Sequence, residues 1–390
     1  MSQPPIFRWQ GQHNDNRSEW TFQYTNWAAL LEEAQILNGG RSCEYDGTYH
    51  AGGRHIVRRL EFVDGCGMWL VRIPIIPGPS ICCDGDTKWW TAERRFTMES
   101  EIATMRYIAE STSIPVPKVF GHRTYIKGNP VKLPYMLMEC IRGNMLFDLG
   151  GPEILTADQR RKIRKSIASI QYQMANASIS KLGSLVLGQD GTIDIGPLPA
   201  AFGFEGPFST QADYFLSWAA HAKFGNLDFL RGQYEDNDML QNLKQNVILF
   251  PSRLKSAVKM SSQNTIACEN RYPIVHRDFL LHNILFDDAY NVVGVIDWEF
   301  AHSAPLGVFA ALTNIYSHFD SKTLHAVPDS NNEGEQYVED IMDEERQHGC
   351  KLSTHFGSVL GDIGLCMTHF EEGRAVFFGE LLDRYEKIGC

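Results

Sequence analysis

The 390-residue chain carries 36 basic and 47 acidic residues, a formal net charge of −11, with 43% apolar and 11% aromatic residues. That apolar fraction supplies a packed core and excludes a disordered chain, and the acidic balance argues against a general nucleic-acid binder while suiting a cationic substrate. The length fits two domains or one domain of two lobes, and no stretch nears the roughly 18–20 apolar residues that span a bilayer.

In chain order, a first helix is expected over Trp27–Leu37. Trp27, Leu30, Leu31, Ala34 and Leu37 share one face, Asn26 can cap the start, and Gly39-Gly40 stops it. Two β-rich segments follow, His55–Phe62 and Met68–Ile75, with Asp64-Gly65-Cys66-Gly67 as the turn between them. A helix is expected over Ala92–Ala109, ending before Ile114-Pro115-Val116-Pro117, and further strands around Lys118–His122 and Tyr135–Cys140.

After Gly143 the pattern turns helical. Thr156-Ala157-Asp158-Gln159 matches a capping box, and Ile163, Ile167, Ile170 and Met174 then recur at helical spacing. The basic run Arg160, Arg161, Lys162, Arg164 and Lys165 lies off that stripe and reads as a solvated helix face. Helices are expected over Asp213–Phe224, Asp236–Gln245 and much of Val338 to the C-terminus. The acidic cluster Glu333, Glu335, Glu339, Asp340, Asp343, Glu344 and Glu345 reads as a charged surface loop and helix start, though it could steer an amine-bearing molecule. The layout is α+β, with a β-rich N-terminal half and a mostly helical C-terminal half. A cleft between two such lobes is a common place for a small-molecule site.

The nine cysteines are irregularly spaced and form no CxxC. Free thiols in a reducing compartment are the simplest reading, including for the adjacent Cys82 and Cys83, and no zinc site is expected. Met1-Ser2-Gln3-Pro4-Pro5 shows no basic patch before an apolar core, so no secretory signal is expected and the location reads as cytoplasmic.

One segment carries chemistry. Val275-His276-Arg277-Asp278 leads into Phe279-Leu280-Leu281-His282-Asn283, and Ile284–Phe286 is followed by the turn residues Asp287, Asp288 and Asn291. The apolar run Val292–Ile296 then delivers Asp297, ahead of Trp298 and Glu299. Asp278, Asn283 and Asp297 thus converge at the end of a hairpin. A carboxylate and an amide oxygen suit a hard cation such as Mg²⁺, and a second carboxylate can accept a proton from a hydroxyl. Arg277 and His282 read as solvent-facing or structural. Trp298, Phe300 and Tyr316 could line an apolar pocket, but buried aromatics are ordinarily core.

His-x-Asp-x₄-Asn followed by Ile-Asp-Trp-Glu resembles the aminoglycoside phosphotransferase, or choline-kinase-like, branch of the protein-kinase-like fold, with the fungal phosphotransferase-domain proteins nearest in texture. The resemblance covers roughly residues 45–385. It implies an N-terminal extension over 1–44, a nucleotide phosphate-binding lobe over 45–138, a hinge over 139–143, and a helical lobe over 144–390. That last lobe holds a catalytic loop at 276–283 and a metal-binding segment at 296–299.

The resemblance also assigns roles. Asp278 would orient a substrate hydroxyl and take its proton, and Asn283 and Asp297 would hold Mg²⁺ against the phosphates of ATP. His276 would support the loop. Arg72 stands where the family has a lysine, with Glu101 as its helical partner and Glu99 as the competing choice. Arg can hold phosphate oxygens with a planar fork. Tyr45–Gly53, with Gly47, Gly52 and Gly53, would be the loop over the phosphates. Backbone groups of Glu139 and Ile141 would meet the adenine. The implied activity is ATP- and Mg²⁺-dependent transfer of a phosphoryl group to a hydroxyl of a small-molecule acceptor, with amine-bearing acceptors among the candidates and neither nucleic acid nor membrane as partner. Trp298-Glu299 after Asp297, with no Ala-Pro-Glu beyond, sets the chain apart from protein kinases. The alternative is a non-kinase member of the fold, a nucleotide-binding scaffold or an enzyme whose cleft serves other chemistry.

Overall fold

A computed structural model describes residues 16–65, 67–78, 87–188, 190–224, 248–258, 271–316, 332–348 and 351–371. The helix expected over Asp236–Gln245, helical residues beyond Glu371, and Cys66, Cys82, Cys83, Cys268, Cys350 and Cys390 lie outside them. Cys43, Cys140 and Cys366 are free thiols. No helix among the described residues is long and apolar enough to cross a membrane.

The chain forms two compact units. The first comprises 1–110, 114–154 and 284–296, and the second 111–113, 155–283 and 297–390. The first is built on an antiparallel sheet of order β1-β2-β3-β5-β4, formed by β1 Cys43–Ala51, β2 His55–Phe62, β3 Met68–Pro74, β4 Val119–Arg123 and β5 Tyr135–Glu139. Strand β3 alternates partly and fully buried residues, as a sheet with one face on the core requires. Val71, Ile73, Ile56, Leu60 and Leu137 have no exposed surface. Each such side chain contributes about 1.5–3 kcal/mol on burial. Helix α3, Ala92–Ser111, belongs to the same unit and buries Glu101, Ile102, Ala103 and Met105.

Two N-terminal helices pack on this sheet. α1, Asn16–Tyr24, was not foreseen from the pattern; α2, Trp27–Leu37, starts as expected with Asn26 Oδ1 accepting from Ala29 N–H. Gly39 and Gly40 end it at φ +68° and +83°, which glycine adopts at no steric cost. The side chain of Arg58 on β2 lies over the rings of Tyr45, Trp27 and Phe22 at 3.9, 5.0 and 5.3 Å, tying both helices to the sheet.

The expected loop at Tyr45–Gly53 is corrected: most of it is strand. Gly47, at φ +71°, sits where the β1–β2 register shifts between Asp46 and His50, so it serves a bulge. Only the turn after Ala51 remains loop, closed by Gly52 N–H donating to His55 O at 2.8 Å. The sequence reading placed 284–296 with the helical half. Here β11, Ile284–Phe286, and β12, Val292–Val295, fall in the first unit, because β11 also pairs with β6, Asn144–Met145. Gly143 permits this: a Cβ there would meet Val293 Cγ2 at 2.6 Å.

The second unit is mainly helical. α4, Ala157–Asn176, opens with the full capping box of Thr156 and Gln159, and Ile163, Ile167, Ile170 and Met174 are buried. The basic run on this helix is not simply solvated. Arg164 is buried; its Nε donates to Asp340 Oδ2 and its Nη1 to Gln336 Oε1, both at 2.6 Å, on the helix α5, Glu333–His348. Arg160 also faces Glu333 at 3.7 Å. The acidic cluster therefore has an internal cation. Truncating one partner of a buried pair strands the other, which typically costs about 3–5 kcal/mol. Arg164→Ala and Asp340→Ala are each expected to lose that much in urea unfolding, with the double variant far less than the sum.

Strands β10, Tyr272–Val275, β13, His302–Ser303, and β7, Ser178–Ile179, form a small sheet. His302 is fully buried; its Nδ1 donates to Phe300 O at 3.0 Å, and Tyr214 Oη lies 3.4 Å from Nε2. Burial first, then the charge of Arg277, pushes its pKa down to about 3. The folded state keeps this imidazole neutral, while the unfolded chain binds a proton below its ordinary value of about 6.5. Its stability contribution is therefore complete above that value and is lost as pH falls toward 3. Between pH 7.5 and 5.5 the loss from this group is about 1.4 kcal/mol. Denaturation of His302→Gln at the two pH values should lack that component.

Candidate active site

Strand β10, buried throughout, leads directly into the loop that carries Asp278. His276 is fully buried, edge-on to Trp298 at a ring separation of 4.6 Å, and its Nδ1 accepts from Asp278 N–H at 3.2 Å. That is the supporting role expected of it. Trp298 is core, with no exposed surface. A single turn at Leu281–Asn283 closes the loop, with Asn283 N–H donating to Leu280 O at 2.9 Å.

Asp278 is half-exposed. Its Oδ2 accepts from Asn283 Nδ2 and lies 2.9 Å from His282 Nε2. Asn283 Nδ2 also reaches Asp278 O at 2.9 Å. His282, expected from the sequence to be solvent-facing or structural, is set against the carboxylate by the fold. Its hydrogen bond is the main reason the Asp278 pKa lies below the usual carboxylate value, with burial opposing. The same bond, aided by the charges of Asp278 and Asp297, raises the His282 pKa. Asp278 is thus ionised at neutral pH and suited to accept a hydrogen bond from a hydroxyl.

The β11–β12 hairpin pairs Ile284, next after Asn283, with Val295, two residues before Asp297. Its turn is held by Asp287, whose Oδ1 accepts from Ala289 N–H and Asn291 N–H. Asp297 follows β12 at φ +64°, a left-handed conformation that Asp adopts more readily than most residues. Asn283 spends its amide nitrogen on Asp278, and its Oδ1 has no hydrogen-bond donor among the described residues. An amide oxygen and a carboxylate are hard donors of the kind that would suit Mg²⁺, and Asn283 and Asp297 are the residues that would hold it.

In the first unit, Arg72 is paired through Nη1 with Glu101 Oε1, and both side chains are largely buried at 12% and 3% exposure. Glu101 is therefore the partner. Glu99 accepts instead from Thr124 Oγ1 at 2.6 Å. Arg72 Nη2 also lies 3.1 Å from His55 Nδ1, a contact no motif indicated. Gly52 has an ordinary backbone, and an added Cβ would meet only His55 O at 3.7 Å, so the fold itself does not demand glycine there. Glu139 N–H is spent on Lys118 O at 2.8 Å, which leaves only its carbonyl to meet a base. Ile141 makes no backbone hydrogen bond among the described residues, and its side chain fills the space left by Gly294.

A five-stranded antiparallel sheet with an Arg–Glu pair, and a loop–hairpin segment carrying Asp278, Asn283 and Asp297, define a kinase-like fold of the phosphotransferase class. The solved structure of a candidate aminoglycoside phosphotransferase from Ralstonia eutropha superposes with a TM-score of 0.50 over 93% of this chain and 99% of that one, at 16% identity. Residues 69–308 match the model of the phosphotransferase enzyme family, and the chain belongs to that family. Among curated relatives, altered inheritance of mitochondria protein 9 of Komagataella phaffii is 28% identical over 97 residues, 24% of this chain and 16% of that protein. A subtelomeric hrmA-associated cluster protein of Aspergillus fumigatus is 33% identical over 90 residues, 23% and 17% of the respective chains. The matches thus span about a sixth of these relatives' length.

Proposed function

We propose that the protein transfers the γ-phosphoryl group of ATP to a hydroxyl of a small-molecule acceptor in a Mg²⁺-dependent reaction. The observation that carries the reading is the loop in which Asp278, held by His276 N-terminally and Asn283 C-terminally, stands beside an amide oxygen and a carboxylate suited to a hard cation. Phosphoryl transfer asks little covalent chemistry of a protein; positioning and charge neutralisation dominate. Asp278 orients the acceptor hydroxyl and receives its proton as the bond to phosphorus forms. Its lowered pKa makes it a weak base, which suits a late proton transfer from an alcohol. Arg72, braced by Glu101, holds the inner phosphates, and the backbone of Glu139 and Ile141 meets the adenine. Bound Mg²⁺ supplies neutralisation of charge on the phosphates, and Asn283 and Asp297 are the residues that would hold it.

The test is a thermal shift of the whole chain with ATP, with and without Mg²⁺. Ligand at about a hundredfold excess over its dissociation constant adds roughly 2.7 kcal/mol, a readily visible shift. A Mg²⁺-dependent rise supports the reading and justifies screening hydroxylated acceptors, amine-bearing ones included, for ADP release. No shift at millimolar ATP overturns it.

A further inference from the structure

Two acceptors reach the guanidinium of Arg72 from different elements, and one of them is a histidine outside every motif. Glu101 on α3 takes Nη1, and His55 on β2 takes Nη2 at 3.1 Å. A guanidinium only donates, so His55 Nδ1 must be the acceptor and the imidazole must be neutral. Its surroundings enforce this: burial, then the charges of Arg72 and Arg54, hold its pKa well below the usual value. His55 also closes the β1–β2 turn, since its carbonyl accepts from Gly52 N–H at 2.8 Å. It sits next to the cross-strand row as well, with Val57 of β2 directly opposite Arg72 of β3. One residue therefore links the turn, through its backbone, to the cation, through its ring.

This arrangement accounts for an arginine at the position where the resemblance implies a lysine. A guanidinium offers separate nitrogens in a rigid planar fork, one for each acceptor. An ammonium has a single nitrogen on a flexible stem and must serve both acceptors from one point. An aliphatic side chain at 55 would take the acceptor nitrogen away from the Nη2 side of the fork and loosen the hold on the guanidinium plane. We propose that His55 is a positioning residue for the nucleotide phosphates: it fixes the plane of the Arg72 guanidinium, and the Glu101–His55 pair of acceptors is what selects arginine over lysine at this position. The proposal rests on the reading that Arg72 holds phosphates of MgATP.

The test compares dissociation constants of MgATP and of adenosine, which has no phosphate, for the full chain and its His55→Leu, His55→Asn and Arg72→Lys variants. Calorimetry reads both ligands. Asn places an acceptor oxygen close to where Nδ1 stood. The expected result is a loss of tenfold or more in MgATP affinity for His55→Leu, with adenosine affinity within twofold of the parent. His55→Asn should recover most of the loss. Arg72→Lys should lose as much as His55→Leu, and combining the two should add little. If His55→Leu binds MgATP like the parent, or if Arg72→Lys does, the positioning role is wrong. If MgATP and adenosine weaken together, His55 acts only on the fold of the unit. If the unmodified chain binds adenosine but gains nothing from the phosphates, the failure lies in the phosphate role of Arg72 and the proposal falls with it. Should His55→Leu fail to fold, His55→Ala takes its place with the same expected loss, and a parent-like Arg72→Lys still overturns the proposal.

Discussion

Asp278→Asn is expected to reduce phosphoryl transfer by at least a hundredfold while MgATP binding stays within about threefold of the parent. Loss of a positioned proton acceptor typically costs 10²–10⁴-fold in rate. Asn is the informative replacement because it keeps the volume of the side chain and an oxygen that can accept from Asn283 Nδ2. The loop itself does not depend on the carboxylate: Asp278 N–H bonds to His276 Nδ1, and Asn283 Nδ2 reaches Asp278 O. The effect should therefore fall on turnover and spare the melting temperature. His282 provides an internal check. Its raised pKa owes most to its bond with Asp278, so in the variant its proton resonance should titrate nearer the ordinary value. If Asp278→Asn turns over normally, the acceptor hydroxyl is oriented by another group and the assignment of this loop is wrong.

What could be read in advance follows a physical divide. The hairpin that carries Asn283 and Asp297 at its ends was legible because its parts are local: turn residues at 287–291 between two apolar runs. The capping box at Thr156 and the α2 boundaries were legible for the same reason. Contacts between distant segments were not, apart from the Arg72–Glu101 pair that the family resemblance implied. Arg164 and Asp340 are 176 residues apart, and each alone looks like any surface charge on an amphipathic helix. His55 lies 17 residues from Arg72 and belongs to no motif. His282 was visible as a residue, yet nothing in its spacing shows that the single turn at 281–283 swings its ring back onto Asp278. Gly47 shows the same divide: three nearby glycines read as a loop, whereas the bulge that its positive φ serves depends on the pairing of β1 with β2.

Asp297→Asn is expected to remove the Mg²⁺-dependent part of ATP binding and leave the metal-free part in place. The choice of asparagine is dictated by the backbone. Asp297 sits at φ +64°, where a side chain without local hydrogen-bonding capacity pays roughly 1–2 kcal/mol, so alanine would mix strain with loss of a ligand. Asparagine tolerates the conformation and removes only the charge. Exchanging a carboxylate for an amide takes one unit of negative charge from the proposed metal site, where Asn283 would contribute only a neutral oxygen. Disturbing even the outer partners of a metal site typically costs 10–100-fold in metal affinity, so a direct ligand should cost at least tenfold. In a thermal-shift titration the parent should show two increments, one with ATP and a larger one on adding Mg²⁺. The variant should keep the first and lose most of the second, with higher Mg²⁺ restoring part of it. His282 supplies a readout independent of nucleotide. Since the Asp297 charge is one cause of its raised pKa, the variant should lower that pKa slightly with no ligand present. A variant that retains the full Mg²⁺ increment would place the cation elsewhere and remove Asp297 from the site.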